Sequence, residues 1–385
     1  MPNFQASSAV AAVQRHSLRP PFGPAPAGAV SVAIGEPDFD TPDPIVSAAV
    51  EALRSGATHY VDQHGDPELR SALADTVSAL ATHTYQPDQI LVTHGATAAL
   101  AAAIFAIVDN GDKVVIPEPC YSLYSDLVRL AGGAPVFVPP ADDLHWDLDA
   151  LRAALPGAKL VVFSNPCNPT GVVHSRNELH ALASALRATD TLVLSDEAYS
   201  AIVYQDDVFP SAVSLEELRP RTIYCQTLSK SYAMTGWRLG YLAGPADVIA
   251  AAGLVHRSFN GSVNAAVQRA ALAAVQHGTK LAEPMLAAYR ERRDVLFDRL
   301  AGIAELSAPV PEGTFYAFAR YDLPIASTEL AAGLRGAGVL VRPGAEFGPS
   351  GEGHLRLSFA ADIPVLHKAM DRISEYLYTT GVTVE

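Results

Sequence analysis

Between about residues 45 and 275 the chain alternates short apolar runs with longer stretches of helical periodicity. The apolar runs lie at 90–93, 113–116, 160–163, 191–194, 222–225 and 239–243. Short runs without alternating polar residues are typical of strands that are buried on both faces of a sheet. Helical stretches such as 97–108 and 175–187 lie between them. The pattern therefore predicts βαβ units and a mostly parallel sheet.

The two ends of the chain follow other patterns. Residues 1–30 are rich in Ala and Pro, with one short helix predicted near 8–15. A long charged amphipathic stretch at 280–300 precedes an α+β pattern of two strands and two helices. We expect an N-terminal arm at 1–44 that is part of a small domain, a large domain at 45–279, and an interdomain helix with the C-terminal small domain at 280–385.

Composition and charge argue against several classes of function. The 385 residues carry a net charge of -14, whereas a nucleic-acid surface needs clustered Lys and Arg. Cys120, Cys167 and Cys225 form no CxxC pair, and the histidines show no metal-ligand spacing. The N-terminus has no signal-peptide pattern, and the apolar stretch at 98–108 is too short to span a bilayer. We expect a cytoplasmic protein with reduced thiols and no metal, nucleic-acid or membrane partner.

The strongest chemical signal lies between the last two apolar runs. Thr227, Ser229, Lys230 and Arg238 lie close together there, with a glycine among them. Hydroxyl donors, main-chain N–H groups and a forked guanidinium are the groups that bind phosphate. A lysine beside them can attack a carbonyl when burial and neighbouring cations lower its pKa. An isolated lysine in a loop would be solvated, so these neighbours make Lys230 a candidate catalytic residue.

This segment resembles the lysine motif of fold-type I pyridoxal 5'-phosphate (PLP) enzymes, in the class I/II aminotransferase family that includes aspartate aminotransferase. The family motif is S-x-S-K-x-x-x-x-x-G-x-R, and Thr227 replaces its first serine while keeping the hydroxyl. The resemblance extends from Ile34-Gly-Glu-Pro to Arg356-Leu-Ser-Phe359. It implies a large α/β domain with a mostly parallel seven-stranded sheet flanked by helices, a small α+β domain, PLP held by Lys230 as a Schiff base, and a homodimer.

Three segments supply the residues that would hold the cofactor ring. Asp196 ends an apolar run, where it could also simply cap a helix. By resemblance, Asp196 pairs with the pyridine nitrogen and strengthens the ring as an electron sink. Tyr199 and Asn168 would hydrogen-bond the phenolic oxygen, and Asn168 would also reach the substrate carboxylate. Tyr121 would stack on the ring, although an aromatic there could equally be a core residue.

The segment from His94 to Thr97 lies between a predicted strand and a helix. Free N–H groups and the helix dipole favour a phosphate at such a place, but a plain helix cap would explain Thr97 equally well. The resemblance implies that Gly95, Ala96 and Thr97 bind the PLP phosphate together with Thr227, Ser229 and Arg238. The family often has glycine at position 96. His94 is a weaker candidate for an influence on side-chain specificity.

The remaining candidates concern the substrate and a partner subunit. Arg356 lies in a predicted strand, where a surface salt bridge is the simple explanation. By resemblance, Arg356 clamps the substrate α-carboxylate with a bidentate guanidinium, and Gly35 closes over it. Tyr60 resembles the tyrosine that reaches the partner's phosphate, although it could be an ordinary surface residue.

The reaction expected from this set is transamination. Lys230 would move the proton at Cα, and 2-oxoglutarate would be the acceptor in a ping-pong cycle. The same residues would serve another PLP reaction, such as β-elimination, cyclisation or replacement. A non-catalytic PLP-binding module is the third alternative. The sequence identifies no second arginine for a dicarboxylate and leaves the amino donor open.

Overall fold

The structure is a computed structural model that describes residues 5–19, 23–205 and 208–379. Its α-helices are α1 (Ser8–His16), α2 (Asp43–Arg54), α3 (Pro67–Ala81), α4 (Gly95–Ile107), α5 (Leu123–Leu130), α6 (Leu148–Ala154), α7 (Arg176–Leu186), α8 (Leu228–Ser231), α9 (Ala246–Phe259), α10 (Ala265–His277), α11 (Glu283–Leu300), α12 (Ser327–Gly336) and α13 (Ile363–Thr379). Its strands are β1 (Val30–Ser31), β2 (Ile90–Thr93), β3 (Lys113–Pro117), β4 (Ala134–Val138), β5 (Ala158–Ser164), β6 (Leu192–Asp196), β7 (Thr222–Thr227), β8 (Gly240–Ala243), β9 (Leu306–Ser307), β10 (Tyr316–Tyr321), β11 (Val339–Leu340), β12 (Arg342–Pro343) and β13 (His354–Ser358). Within the described ranges, no helix has the length and apolar character needed to cross a membrane.

The central sheet has seven strands in the order β2-β8-β7-β6-β5-β3-β4. Neighbouring strands run parallel except at β8, which is antiparallel to both β2 and β7. The six apolar runs predicted as strands all lie in this sheet, which confirms the mostly parallel α/β class. The apolar pattern misses β4, because this edge strand is mostly half-buried and contains Pro135.

Alternate residues of a central strand pack against different helical layers. Leu160 and Val162 of β5 belong to an apolar cluster with residues of α4, α5 and α9. Val161 and Phe163 of the same strand belong to a cluster with residues of α6 and α7. All four side chains are buried, so β5 has no polar face and its sequence is an uninterrupted apolar run. Polar groups are therefore concentrated at the ends of the strands.

The C-terminal part of the chain forms a second, antiparallel sheet in the order β12-β13-β10-β9. Within it, Arg356 of β13 lies opposite Phe318 of β10 on one side and Arg342 of β12 on the other. The N-terminal segment joins this region, because β1 pairs with β11 and Val32 O accepts a hydrogen bond from Ser358 N at 2.7 Å. The α+β pattern predicted for this part of the chain is confirmed.

An ion pair holds the segment after β1 against the long helix α11. Arg292 Nη1 and Nη2 donate to Asp38 Oδ1 and Oδ2 at 2.7 and 3.0 Å. The guanidinium of Arg292 also lies 4.7 Å from the centroid of the Phe39 ring. A bidentate pair of this kind restrains orientation as well as distance. The chain from Gly35 to Asp38 is therefore anchored by α11.

Asp38→Asn should destabilise the protein, because Arg292 would lose its carboxylate partner while its side chain is only 9% exposed. We expect the free energy of unfolding, measured by chemical denaturation, to fall by about 1–3 kcal/mol. Asp294→Asn is the matched control, since Asp294 pairs with Arg293 on the same helix but is 65% exposed. The control should change stability by less than about 0.5 kcal/mol. Equal losses in the two variants would contradict the anchoring role of Asp38.

Candidate active site

Three neighbouring strands of the central sheet end at one cleft. The last residues of β5, β6 and β7, which are Ser164, Asp196 and Thr227, line a cavity of about 320 Å³. This edge of a parallel sheet is where α/β proteins place their sites. The cavity lining includes twelve of the fourteen residues that the sequence predicts, namely Gly35, Ala96, Thr97, Tyr121, Asn168, Asp196, Tyr199, Thr227, Ser229, Lys230, Arg238 and Arg356.

Lys230 lies on the helical turn α8, which begins directly after β7. The Thr227 hydroxyl oxygen caps this turn by accepting a hydrogen bond from Ser229 N at 3.2 Å. Lys230 Nζ donates to Gly35 O at 2.6 Å. Burial and the positive charge of Arg356 lower the pKa of Lys230 to about 8. Near pH 7, the neutral fraction of the Lys230 amine is therefore larger than that of an exposed lysine. The neutral amine is the form that can attack a carbonyl.

Asp196 is a buried carboxylate at the end of β6. Its Oδ2 accepts a hydrogen bond from the Tyr124 hydroxyl at 2.8 Å, and its Oδ1 accepts one from Ala198 N at 3.2 Å. Tyr121 packs edge-on against Tyr124, with 5.7 Å between ring centroids. Burial raises the pKa of Asp196, although the two hydrogen bonds and the Lys230 charge oppose the rise. A cationic N–H donor in the cleft would therefore stabilise this carboxylate.

Tyr199 and Tyr316 form a hydrogen-bonded pair in the cleft wall. Their hydroxyl oxygens are 2.8 Å apart. Burial raises the pKa of Tyr199 well above its ordinary value, so its hydroxyl stays protonated. Tyr316 also packs closely against Gly35, since a Cβ at that position would lie 1.7 Å from the Tyr316 hydroxyl oxygen. Only a glycine lets this segment approach the tyrosine pair so closely.

The start of α4 and Arg238, which lies two residues before β8, form a cradle for an anion. Gly95 has a φ of +77°, and a Cβ there would lie 2.8 Å from Arg238 Nη2. The glycine therefore lets the guanidinium lie against the start of the helix. Ala96 and Thr97 follow in the first turn, where main-chain N–H groups lack partners within the helix and the helix dipole is positive. The cradle combines these N–H groups with a permanent cation.

Arg356 lies in the cleft wall with its guanidinium held on several sides. Its Nη1 donates to Asn168 Oδ1 at 2.9 Å, and its Nη2 donates to Ala33 O at 2.7 Å. The guanidinium carbon lies 4.1 Å from the Tyr316 ring centroid and 4.9 Å from that of Phe347. Among the described residues, the buried Nε has no hydrogen-bond partner. The guanidinium is therefore an oriented cation whose Nε–H can still donate a hydrogen bond.

Two predicted residues do not line the cleft. Gly95 lies just behind it, against Arg238. The Tyr60 side chain is 98% exposed, between α2 and α3, and it lines a separate hollow with His94 and Asn264. His94 is likewise not among the residues that line the cleft. The expectation that Tyr60 completes the site of a partner subunit stays a prediction.

Several lining residues are not predicted from the sequence: Arg19, Tyr124, Tyr316, Arg342, Glu346 and Phe347. Tyr124 lies three residues after Tyr121, and this spacing is a weak signal for a shared helix face. Arg342 lies in a two-residue strand and belongs to no motif. Its position in the cleft depends on pairing with a distant strand.

Outside the cleft, the structure groups His145, His174 and Glu178, with possible metal-ligand atoms within 4.8 Å of one another. Hydrogen bonds explain this group without an ion. Glu178 Oε1 accepts from Trp146 N and lies 3.2 Å from His174 Nδ1. Glu178 Oε2 accepts from Ser175 N at 2.7 Å and lies 3.0 Å from His145 Nδ1. The cluster holds the start of α7.

Known proteins resemble this chain along most of its length. The sequence profile of the family described as Aminotransferase class I and II matches residues 28–373. The chain is 38% identical over 359 residues to the putative aminotransferase YugH of Bacillus subtilis, with 92% of each chain covered. It is 33% identical over 359 residues to an aspartate aminotransferase of Geobacillus stearothermophilus, which covers 90% of this chain and 91% of that one.

Solved structures agree with the sequence comparison. The aromatic aminotransferase of Pyrococcus horikoshii superposes with a TM-score of 0.88 at 35% identity, covering 92% of this chain and 97% of that one. The aspartate aminotransferase of Thermus thermophilus with maleate gives a TM-score of 0.85 at 35% identity, covering 90% and 91%. Profile, identity and fold coincide, and the chain belongs to the class I and II aminotransferases, a family of enzymes that use PLP.

Proposed function

We propose that this protein binds PLP and moves an amino group from an L-amino acid to a 2-oxo acid, with 2-oxoglutarate as the expected acceptor, in a ping-pong cycle. The observation that carries the proposal is the convergence of Lys230, Asp196, Arg238 and Arg356 on one cleft. Relatives named as aspartate aminotransferases, one of them solved with the dicarboxylate maleate, support the choice of acceptor.

The anion cradle fits the phosphate of PLP. The start of α4 offers the N–H groups of Ala96 and Thr97, and Arg238 lies against Gly95 as a permanent cation. The Thr227 hydroxyl donates to Leu239 O at 2.8 Å and lies 2.9 Å from Ser229 Oγ. The single Thr227 proton can serve only one of these two acceptors. With the phosphate bound, Thr227 would donate to Ser229 Oγ, so that the Ser229 hydroxyl keeps its own proton to donate to the phosphate.

The other end of the cleft fits the ring. Asp196 is buried with a raised pKa, so a protonated pyridine nitrogen would supply the cationic donor that this carboxylate lacks. Tyr199 and Asn168 would donate to the phenolic oxygen, and Tyr121 would stack on the ring. When bound, PLP supplies an electron sink for the charge that develops at Cα of the amino acid.

The chain's own residues would perform the remaining steps. Lys230 would anchor the cofactor and, once released by the incoming amine, move the proton at Cα as base and then acid, for which a pKa near 8 is suitable. Arg356 would bind the α-carboxylate, because its guanidinium is already oriented by Asn168 and Ala33. Gly35 would close over that carboxylate.

A second PLP reaction, such as β-elimination, would use the same lysine and the same carboxylate. It differs in its products, because it expels the β-substituent of the amino acid, and hydrolysis then releases ammonia and a 2-oxo acid without an acceptor. Release of ammonia and pyruvate in the absence of 2-oxoglutarate would favour this alternative. A transfer that requires the acceptor supports the aminotransferase.

We further infer a homodimer with shared sites and the three-part division at residues 44 and 279. Exposed apolar side chains support the dimer. Leu53, close to Tyr60 in the sequence, is 51% exposed, and Leu254 and Phe259 of α9 are 53% and 71% exposed.

A cytoplasmic location is supported by the three cysteines, which are free thiols.

Lys230→Ala should lower the rate of transamination to 2-oxoglutarate by at least about 100-fold, because it removes the group that moves the proton at Cα. The purified holoenzyme is screened with amino donors. Cofactor absorbance measures both the turnover and the amount of cofactor that stays bound. Some cofactor should remain bound through the phosphate and ring contacts. Lys368→Ala, on the exposed side of α13, is the control and should keep full activity. Full activity of Lys230→Ala would overturn the assignment.

The covalent uptake of PLP by the apoprotein should become faster as the pH rises through about 8, because the neutral amine of Lys230 is the attacking form. Arg356→Met removes a nearby positive charge, so the Lys230 pKa should rise and the midpoint should move to higher pH. Stopped-flow absorbance measures the rate. Arg152→Met removes a guanidinium that is 59% exposed and should leave the midpoint in place. An unshifted midpoint in Arg356→Met would refute the electrostatic coupling.

Co-expression of Lys230→Ala and Tyr60→Phe chains should restore activity if sites are shared. In a hybrid dimer, one of the two sites would combine the native Lys230 of one subunit with the native Tyr60 of the other. We expect the purified hybrid to exceed the mean activity of the two parent variants, measured with the same donor and 2-oxoglutarate. Activity equal to that mean would show that Tyr60 acts within its own chain or not at all.

A further inference from the structure

The loop between β5 and α7 carries Asn168 into the cleft, and the two ends of the Asn168 amide have different tasks. Its Oδ1 accepts a hydrogen bond from Arg356 Nη1 at 2.9 Å. Its Nδ2 is the end that can donate to a ligand. A displacement of this loop would therefore alter the support of Arg356 and the contact with a ligand at the same time.

Cys167, the residue before Asn168, is held by its main chain and by its side chain. Cys167 N donates to Val172 O, and Cys167 O accepts from Gly171 N, both at 2.8 Å. Its buried thiol donates to Pro119 O at 3.4 Å. Because a peptide bond joins the two residues, whatever fixes Cys167 also restrains Asn168.

The ring of His174 contacts Cys167 from outside the cleft. The two side chains are hydrogen-bonded to each other, and both line a small cavity of about 10 Å³. His174 Nδ1 lies 3.2 Å from Glu178 Oε1, so Nε2 is the nitrogen left for the sulfur. The ring also stacks on Trp146, with 4.1 Å between the ring centroids. His174 is therefore restrained in its plane and at its nitrogens.

The directions of these hydrogen bonds favour a protonated His174. The thiol proton of Cys167 is directed at Pro119 O, so the sulfur is left to accept a proton from the ring. The other ring nitrogen faces a carboxylate, that of Glu178. Burial opposes a charge on His174, but its hydrogen bonds with Cys167 and Glu178 raise its pKa. Glu178, His174 and Cys167 thus form a continuous hydrogen-bonded relay that ends beside Asn168.

The relay starts from a carboxylate that is fixed independently of His174. Glu178 Oε2 accepts from Ser175 N at 2.7 Å, and Glu178 Oε1 accepts from Trp146 N at 3.2 Å. Both donors are main-chain groups, one of them at the start of α7. Hydrogen bonds to an ionised group are stronger than those between neutral groups. The relay therefore connects the loop to the body of the large sheet and its helices.

We propose that His174 and Cys167 are positioning residues that hold Asn168 where it can serve Arg356 and the cofactor together. The inference rests on the proposed function in one respect, which is that Asn168 donates to the phenolic oxygen of PLP. Without the relay the loop would be less restrained, and this donation would weaken. A donor stabilises the anionic form of the oxygen, so weaker donation should raise the pH at which the bound cofactor changes its absorbance.

The test is a pH titration of the cofactor absorbance of the purified holoenzyme. Asn168→Ala should move the midpoint upward by about 1–2 pH units, the equivalent of one hydrogen bond to a charged group. Cys167→Ala should move it in the same direction by about 0.4–1 unit, as for a neutral hydrogen bond. Cys167→Ser should stay close to the wild type, because its hydroxyl can accept from His174 and donate to Pro119 O.

Cys120→Ala is the matched control. Cys120 is also a buried thiol that lines the same small cavity, so the control loses a similar volume outside the relay. It should leave the midpoint in place. His174→Phe keeps an aromatic ring against Trp146 and should shift the midpoint as Cys167→Ala does. If His174→Phe does not fold, the cysteine variants decide.

A double variant separates positioning from general loosening of the protein. Cys167→Ala combined with Asn168→Ala should have the midpoint of Asn168→Ala alone, because Cys167 acts through Asn168. Additive shifts in the double variant would overturn the proposal. So would an unchanged midpoint in Cys167→Ala, or a shift of equal size in Cys120→Ala.

Amide hydrogen exchange gives a second readout that needs neither cofactor nor turnover. The N–H groups of Asn168 and Gly171 are hydrogen-bonded within the loop, and they should exchange faster in Cys167→Ala than in the wild type or in Cys120→Ala. A protein that transfers no amino group to any 2-oxo acid would refute the proposed function, while exchange would still report on the relay. Exchange at the wild-type rate in Cys167→Ala would refute only the present inference.

Discussion

The guanidinium of Arg356 is the interaction on which the cleft depends. It joins the loop after β5, through Asn168, to the N-terminal segment, through Ala33, and two aromatic rings restrain its plane. Its charge therefore acts from a defined position, where it adds to burial in lowering the pKa of Lys230 and of Arg342. Because charges interact more strongly in a partly desolvated cleft, one residue can influence both the chemistry and the binding of anions.

Asp196 and Glu197 are neighbouring carboxylates at the end of β6, and their surroundings give them different roles. Asp196 lines the cleft, whereas Glu197 Oε1 accepts hydrogen bonds from the hydroxyls of Ser195 and Ser211 at 2.9 Å and from Ala212 N at 3.0 Å. Burial raises the pKa of Glu197 to about 7. Glu197 is thus engaged by the loop that follows β6, and it holds that loop in place. Asp196 remains directed at the cavity, because successive side chains of a strand point to opposite sides.

Sequence patterns predict this structure where the deciding contacts are local. The capping box of Ser175 and Glu178 forms as its spacing indicates, and the apolar runs become strands because helices cover both faces of the sheet. Motif residues reach one cleft because parallel strands end at one edge. Arg342 is different, since its place depends on the pairing of β12 with β13, and no periodicity in a two-residue strand reveals that contact. Tyr60 is 98% exposed and does not line the cleft, so its expected role in the site of a partner subunit stays a prediction.

The cleft is built from two sets of residues with different mechanical supports. Asp196 ends β6, and Lys230 lies on the turn α8 directly after β7. The side chains of both strands are packed on both faces, so these two positions are strongly restrained. Arg19, Arg342 and Glu346 come from the N-terminal segment and the smaller antiparallel sheet. Substitution in the second set can therefore change the shape and charge of the cleft without moving Asp196 and Lys230. Under the proposed function this separation matters, because a shift of about 1 Å in the reacting groups would cost far more activity than a change in side-chain fit.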